Sequence, residues 1–241
     1  SELGATAIEH TENSNNTMFG TISKISAAGK ISNNLVKNHN VESADNWISY
    51  LLDDKNCIRT AEYTTEEAYV GEGSLKINVT DFTTTGAATY YQRFYFDEGT
   101  LEKGNTYTLS AYVKTNGITR DEDSGSTRNH GASVMMRIFK TDGTSTRTYS
   151  HSVQKTNADV NNGWERVFVT FTIPEDADRA TAALVLRNGT GTAYFDAVQL
   201  EEGDMLGRYN MLENNDFTYT ESTGYATSWN RWNTQTSDVV E

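Results

Sequence analysis

Residues 106–114 alternate in polarity without a break. Tyr107, Leu109, Ala111 and Val113 fall on one face, while Thr106, Thr108, Ser110 and Lys114 fall on the other. Successive side chains in a strand point to opposite faces, so this period predicts a half-buried strand. The stretch Val167-Phe168-Val169-Thr170-Phe171-Thr172-Ile173 repeats the pattern, with Val167, Val169, Phe171 and Ile173 inward. Further strand candidates run over Ile58–Tyr63, Ser74–Thr80, Ala88–Phe96, Ala132–Lys140, Thr144–Val153, Ala180–Arg187 and Thr192–Glu201. Asp97-Glu98-Gly99, Glu102-Lys103-Gly104-Asn105, Asp142-Gly143, Asn161-Asn162-Gly163 and Asn188-Gly189 separate them. These residue types tolerate positive φ or fold back on their own backbone, and so punctuate strands. The best helical stretch, Ala61–Tyr69, is short. Short strands with polar outer faces predict an all-β chain, a two-sheet antiparallel β-sandwich with the strand Ala193–Glu201 next to an opening strand at Leu35–Val41.

A second feature sets the domain boundaries. Asn34-Leu35-Val36-Lys37-Asn38-His39-Asn40-Val41-Glu42 returns, altered, as Asn210-Met211-Leu212-Glu213-Asn214-Asn215-Asp216-Phe217-Thr218, and a tryptophan follows each, Trp47 and Trp229. The offset of 176 residues (210 minus 34) is too long for a solenoid unit and suits one whole domain. The expectation is a Thr/Ser/Asn/Gly-rich linker or tail over 1–33, one domain over 34–203, and a linker with the start of a second copy over 204–241. A monomeric module within a longer tandem chain is the implied setting.

Composition narrows the function. Against 33 Asp and Glu stand 20 Lys and Arg, a formal net charge of -13, which disfavours nucleic acid and anionic membranes as partners. No apolar run reaches the roughly 18 residues that membrane insertion needs. The first residues, Ser1-Glu2-Leu3-Gly4-Ala5, lack the pattern of a signal peptide, so a secretion signal is expected upstream. The single cysteine, Cys57, excludes an internal disulfide and reads as a small buried hydrophobe. Neither a Gly-x-Ser-x-Gly elbow, a His-Glu-x-x-His pair nor a phosphate loop occurs, and His10, His39, His130 and His151 are scattered. The acids Asp121-Glu122-Asp123 read as a solvated tip of the loop Arg120–Asn129. A non-catalytic chain is the expectation, with a glycoside-active enzyme the weakest of the readings.

An ordered set of segments carries a family resemblance. The Asn-rich opening and its Trp are followed by Gly71-Glu72-Gly73-Ser74-Leu75-Lys76-Ile77, Tyr91-Gln92-Arg93, Gly104–Lys114 and Gly163-Trp164-Glu165-Arg166-Val167. The set closes on Ala193-Tyr194-Phe195-Asp196-Ala197-Val198-Gln199-Leu200-Glu201. From Asn34 to about Gly203 this resembles the jelly-roll carbohydrate-binding modules of the galactose-binding-like superfamily, related to the xylan- and glucan-binding families. Such modules also occur in tandem in bacterial wall-associated and tyrosine–aspartate-repeat surface proteins, so the resemblance implies an extracellular or cell-wall location. It implies a jelly roll and a structural calcium tying the opening segment to the closing strand. The matching positions are Glu42, the turn from Glu72 to Lys76, and Asp196. Calcium takes six to eight hard oxygens, and Asp196 between apolar neighbours needs a metal or a paired group, since an unpaired buried carboxylate is costly. The sequence departs from the family in having Asp196-Ala197 where two adjacent acids are common.

Sugar recognition uses flat aromatic faces with planar polar groups beside them, and this chain has 13 Tyr and four Trp. In Tyr90-Tyr91-Gln92-Arg93-Phe94-Tyr95 one strand face is core, and Tyr91, Arg93 and Tyr95 are placed on the open one. Tyr112 and Arg137 are candidate neighbours; Trp47 and Trp164 are read as packing residues. The predicted activity is binding of a polysaccharide or cell-wall glycan. The alternative is a structural spacer or adhesin module that keeps the fold without a sugar site.

Overall fold

The computed structural model describes residues 34–51, 58–81, 87–120 and 130–206. Within them ten strands form two five-stranded sheets, and every pairing is antiparallel. In chain order the strands are β1 (Ile48–Leu51), β2 (Ile58–Thr64), β3 (Ser74–Asp81), β4 (Ala87–Tyr95), β5 (Thr106–Arg120), β6 (Gly131–Lys140), β7 (Ser145–Tyr149), β8 (Glu165–Thr172), β9 (Ala177–Arg187) and β10 (Gly189–Glu202). One sheet has the order β1-β4-β9-β6-β7 and the other β2-β3-β10-β5-β8. This is the two-sheet sandwich that the alternation predicts. The segment 1–33, Cys57, the acids at 121–123 and the second copy at 210–218 lie outside the described residues.

The core lies between the sheets. Leu75, Ile77, Tyr107, Leu109, Ala111, Val113, Phe195 and Leu200 from one sheet meet Tyr90, Phe94, Val134, Met136, Ile138, Leu184 and Leu186 from the other. Each large side chain so buried contributes about 1.5–3 kcal/mol. β10 keeps its apolar residues inward by a bulge. Ala197 takes φ 49° and the register with β5 shifts between Asp196 and Gln199. The extra residue resets the alternation. Ala193, Phe195, Val198 and Leu200 join the core, whereas Tyr194, Asp196, Gln199 and Glu201 face outward.

Several local expectations are corrected. The opening segment Leu35–Val41 lies beside β10, as expected, but is not a strand. Asn38 and Val41 adopt positive φ (48° and 54°), which breaks an extended ladder. Asparagine side chains take over the backbone's role. Asn34 Oδ1 accepts from Leu200 N at 3.0 Å, and Asn34 Nδ2 donates to Val198 O at 2.8 Å. Leu35 N donates to Leu200 O and Val198 N to His39 O. The strand expected over Thr144–Val153 stops at Tyr149, after which Val153 makes an isolated bridge to Ala132. Ala61–Tyr69 is not helical: β2 runs through Thr64 and a loop follows. β1 has no counterpart among the strand candidates. Finally, the outer face of β5 is not open, because Thr108 and Ser110 are buried. Thr108 Oγ1 donates to Gly203 O, and Ser110 Oγ accepts from Arg166 Nη2 at 3.0 Å.

Candidate functional site

The outer face of the sheet β1-β4-β9-β6-β7 is a trough, and side-chain size creates it. The central strand β9 presents Thr181, Ala183 and Val185 outward, all short and all buried. The flanking strands present long side chains. Tyr50, Tyr91 and Arg93 rise on one bank; Met135, Arg137, Phe139, Arg147 and Tyr149 rise on the other. The cavity between them is about 400 Å³.

Cross-strand register sorts the lining into rows. One row runs Ile48, Tyr91, Ala183, Met135, Tyr149. The next runs Arg93, Thr181, Arg137, Arg147, and beyond it Tyr95, Arg179, Phe139, Ser145. Tyr50 is 52% exposed and Tyr95 40% exposed, so both rings have free faces. Neutral groups hold three of the guanidinium groups on this face. Arg93 donates to Tyr95 Oη at 3.2 Å and Tyr91 Oη at 3.3 Å. Arg137 lies 4.2 Å from the Phe139 ring centre and donates from Nε to Ser145 Oγ at 3.2 Å. Arg187 covers the Tyr149 ring at 3.9 Å. Such cation–π stacking fixes the donor fork while leaving edge N–H groups to a ligand. Burial lowers the proton affinity of Arg137, and the neighbouring Arg147 charge adds to this.

Of the five residues proposed from sequence for the glycan site, the fold brings Tyr91, Arg93, Tyr95 and Arg137 to this one face. Tyr112 is not there. It sits on the outer face of the other sheet, half-buried, with its ring stacked on Tyr69 at 3.6 Å between centres. Tyr69 leans on Trp164 at 6.0 Å, and burial followed by the Tyr112 hydroxyl pushes the Tyr69 phenol up to about 12. The strand containing Tyr112 pairs in the sheet whose outer side is covered by the loop from Thr65 to Gly73, so its aromatic residue became packing. Residues the sequence reading missed are Tyr50, Met135, Phe139, Arg147, Tyr149 and the floor Thr181, Ala183 and Val185. Alternation within Ser145–Tyr149 puts Arg147 and Tyr149 on one face. Only the pairing with β6 shows that this face is shared with Arg137.

The proposed calcium positions come together in part. Asp196 is fully buried and accepts three backbone N–H groups: Tyr69 and Val70 onto Oδ2 at 2.7 and 2.9 Å, Ala197 onto Oδ1 at 2.6 Å. Burial, with a smaller contribution from the Glu42 charge, pushes its carboxyl up to about 7 against the three N–H groups, which lower it. The Glu42 carboxylate accepts from Glu72 N at 3.1 Å, so Glu72 takes part there through its backbone N–H. Lys76 offers no side-chain ligand, only its carbonyl oxygen. Its ammonium is 2.8 Å from Glu66 and 3.6 Å from Glu62 on the outer face of β3, and a cation cannot ligate a metal. Neither Asp196 nor Glu42 forms an ion pair among the described residues. No group of three or more His, Cys, Asp or Glu suited to a metal occurs among them either. Two carboxylates without a countercharge fit a divalent cation that takes its other oxygens from carbonyls and water.

The comparisons with known proteins agree with this architecture. The CBM 4/9 sequence profile, described as a carbohydrate binding domain, matches residues 33–190, well over half of the chain. Two curated relatives are the tRNA(Glu)-specific nuclease WapA of Bacillus subtilis subsp. natto (strain BEST195) and the tRNA nuclease WapA of Bacillus subtilis (strain 168). They are 32% and 31% identical over 123 residues. Each match covers 49% of this chain but only 5% of the relative, so the chain spans about a twentieth of those proteins. Among solved structures, the CBM22-1 xylan-binding domain of Paenibacillus barcinonensis Xyn10C aligns with TM-score 0.50 and 14% identity. That alignment covers 74% of this chain and 100% of that one. Family 16 Carbohydrate Binding Module-2 aligns with TM-score 0.46 and 19% identity over 69% of this chain and 99% of that one. At these identities the likeness to solved structures is one of fold.

Proposed function

The chain belongs to the carbohydrate binding domain family, and from that membership we propose that the trough over β9 is the glycan-binding cleft of a non-catalytic module. The module is read as part of a secreted or cell-surface bacterial protein, acting as a monomeric unit of a longer chain on a polysaccharide or wall glycan. The observation that carries this is the arrangement of the outer face: a floor of Thr181, Ala183 and Val185 between banks bearing Tyr50, Tyr91, Phe139 and Tyr149. A pyranose ring laid in the trough lies above the buried Ala183 and stacks against the bank tyrosines. Its hydroxyls meet the Tyr91 and Tyr95 phenols and the guanidinium edges of Arg93 and Arg137. Recognition of this kind needs no nucleophile and no acid–base pair, and among the described residues no carboxylate lines the trough.

The test is retention of the protein on a panel of insoluble plant and bacterial wall polysaccharides, beside the double variant Tyr50→Ala, Tyr91→Ala. Each lost stacking ring weakens binding about tenfold, while the melting temperature falls by only a few degrees: Tyr50 is exposed, and the half-buried Tyr91 packs on the outer-face cluster of Met135, Ala183 and Val185, not in the core between the sheets. Equal retention of the variant clears this face of a binding role. Failure of the wild type on every glycan supports the spacer reading.

Calcium is part of the same proposal, with Asp196 and Glu42 as its carboxylates. When bound, the ion supplies the countercharge that Asp196 lacks and ties the opening segment to β10. Addition of Ca²⁺ at a hundredfold excess over Kd stabilises the fold by about 2.7 kcal/mol, and chelator lowers the melting temperature by several degrees. Melting curves that coincide with and without chelator at pH 8 reject the ion.

A further inference from the structure

The row Arg93–Thr181–Arg137–Arg147 is an unusual thing to build on a sheet. Arg137 and Arg147 are directly paired across β6 and β7, and Arg93 lies in the same row on β4. Like charges placed opposite one another on neighbouring strands are destabilising. Relief by carboxylates is absent: among the described residues none of Arg93, Arg137, Arg147 or Arg187 forms an ion pair, although the chain has 33 acids. Among the described residues, the lining of the trough includes three arginines and no Asp or Glu. The arginines are instead kept in place by neutral partners, the phenols of Tyr91 and Tyr95, the hydroxyl of Ser145 and the ring of Phe139. Three strand intervals separate Arg93 from Arg147, so the row extends about 14 Å across the sheet. Within a chain of net charge -13, a cationic row of this length gathered in this trough is a local inversion of sign.

We propose that the glycan taken by this trough is polyanionic, a polysaccharide bearing carboxylates or phosphates along its chain. The proposal rests on the reading of the trough as a glycan cleft and names the class of glycan. Arginine suits it because its planar fork meets a carboxylate or phosphate with two parallel N–H bonds. Anionic groups in successive sugar residues engage Arg93, Arg137 and Arg147 in turn, while ring faces lie over Ala183 and against Tyr91. The same groups relieve the repulsion within the row, so charge neutralisation and stacking act together.

Affinity electrophoresis and calorimetry on the full chain test this, in buffer with chelator so that calcium neither gels the polymer nor bridges it. The probes are polygalacturonate, the same polymer fully methyl-esterified, a poly(glycerol phosphate) teichoic acid, neutral xylan and single-stranded RNA. Polygalacturonate or teichoic acid is expected to bind at least tenfold more tightly than the esterified polymer and xylan. Which of the two acids binds better identifies carboxylate or phosphate. The preference shrinks at 0.5 M salt, as screening requires. Arg93→Gln and Arg147→Gln each weaken the acidic polymer about fivefold to tenfold without changing the melting temperature. Arg147→Lys recovers part of the loss, and Lys155→Gln, an exposed basic residue remote from the trough, changes nothing. Equal affinity for esterified and acidic polymer, or arginine variants that bind the acid normally, overturns the polyanion while leaving the cleft. Binding of RNA with no glycan bound overturns both.

Discussion

Replacing Asp196 with Ala is expected to destabilise the metal-free protein by about 4 kcal/mol at pH 5, since each of the three N–H groups it leaves buried costs about 1–3 kcal/mol. For a domain of this size that lowers the melting temperature by roughly 10 °C. The cost depends on pH in a direction set by the carboxyl itself. Its value is raised from 3.8 to about 7, first by burial, so between pH 4 and pH 7 the folded state holds a proton that the unfolded state has lost. Stability then falls as pH rises, and the contribution, fully present below 3.8, is lost through about 7. That loss is on the order of 4 kcal/mol. The difference between wild type and Asp196→Ala therefore narrows from pH 5 to pH 8 in chelator. Calcium reverses the sign: an ion that requires the carboxylate ionised widens the difference at pH 8. Asp196→Asn keeps an acceptor for Tyr69 and Val70 and loses less than Ala at pH 5, but loses the response to calcium. Chemical denaturation of the three proteins at pH 5 and pH 8, with and without calcium, reads all of this. A difference that grows with pH in chelator contradicts the burial argument.

The sandwich was legible because its information is local. Alternation in Thr106–Lys114 and Val167–Ile173 fixes both the strand and its inward face, and Tyr107, Leu109, Val113, Val167 and Phe171 are all in the core. The opening segment was legible in place but not in form. Its asparagines, read as a family mark, act as backbone substitutes that a strand pattern does not encode. β1 was missed because four residues with Ile48 and Tyr50 exposed carry no burial signal.

The candidate cleft was half legible for a different reason. A strand shows which of its residues share a face, which is how Tyr91, Arg93 and Tyr95 were grouped. It does not show which strands are neighbours. Tyr112 and Arg137 looked equivalent in sequence, each on a strand with aromatic or basic neighbours. The sheet order put β6 two places from β4 and put β5 in the opposite sheet. Charge also reads differently by place. The composition argues against polyanions as partners, yet three arginines from three separate strands meet in one row that only the register assembles.

The most informative single change is at the floor. Ala183 is 1% exposed, lies between Tyr91 on β4 and Met135 on β6 in the register, and points into the trough. Ala183→Trp is expected to fill the cleft from below. The indole must push aside Tyr91 and Met135, which pack with Ala183 in an apolar cluster on the outer face, to reach the open volume of about 400 Å³ above it. It does not invade the core between the sheets. The overpacking is expected to cost about 1–3 kcal/mol, too little to unfold a domain of ordinary stability. Binding should fall at least a hundredfold, because a sugar ring excluded from the floor loses its stacking and its reach to the Arg93 and Arg137 forks together. Ala183→Ser, which adds one oxygen at the same place, should bind within about twofold of wild type. Calorimetry with the best-bound polysaccharide from the panel, beside thermal melts of both variants, makes the comparison. A Trp variant that folds normally and binds as the wild type does would place the glycan site somewhere other than this trough.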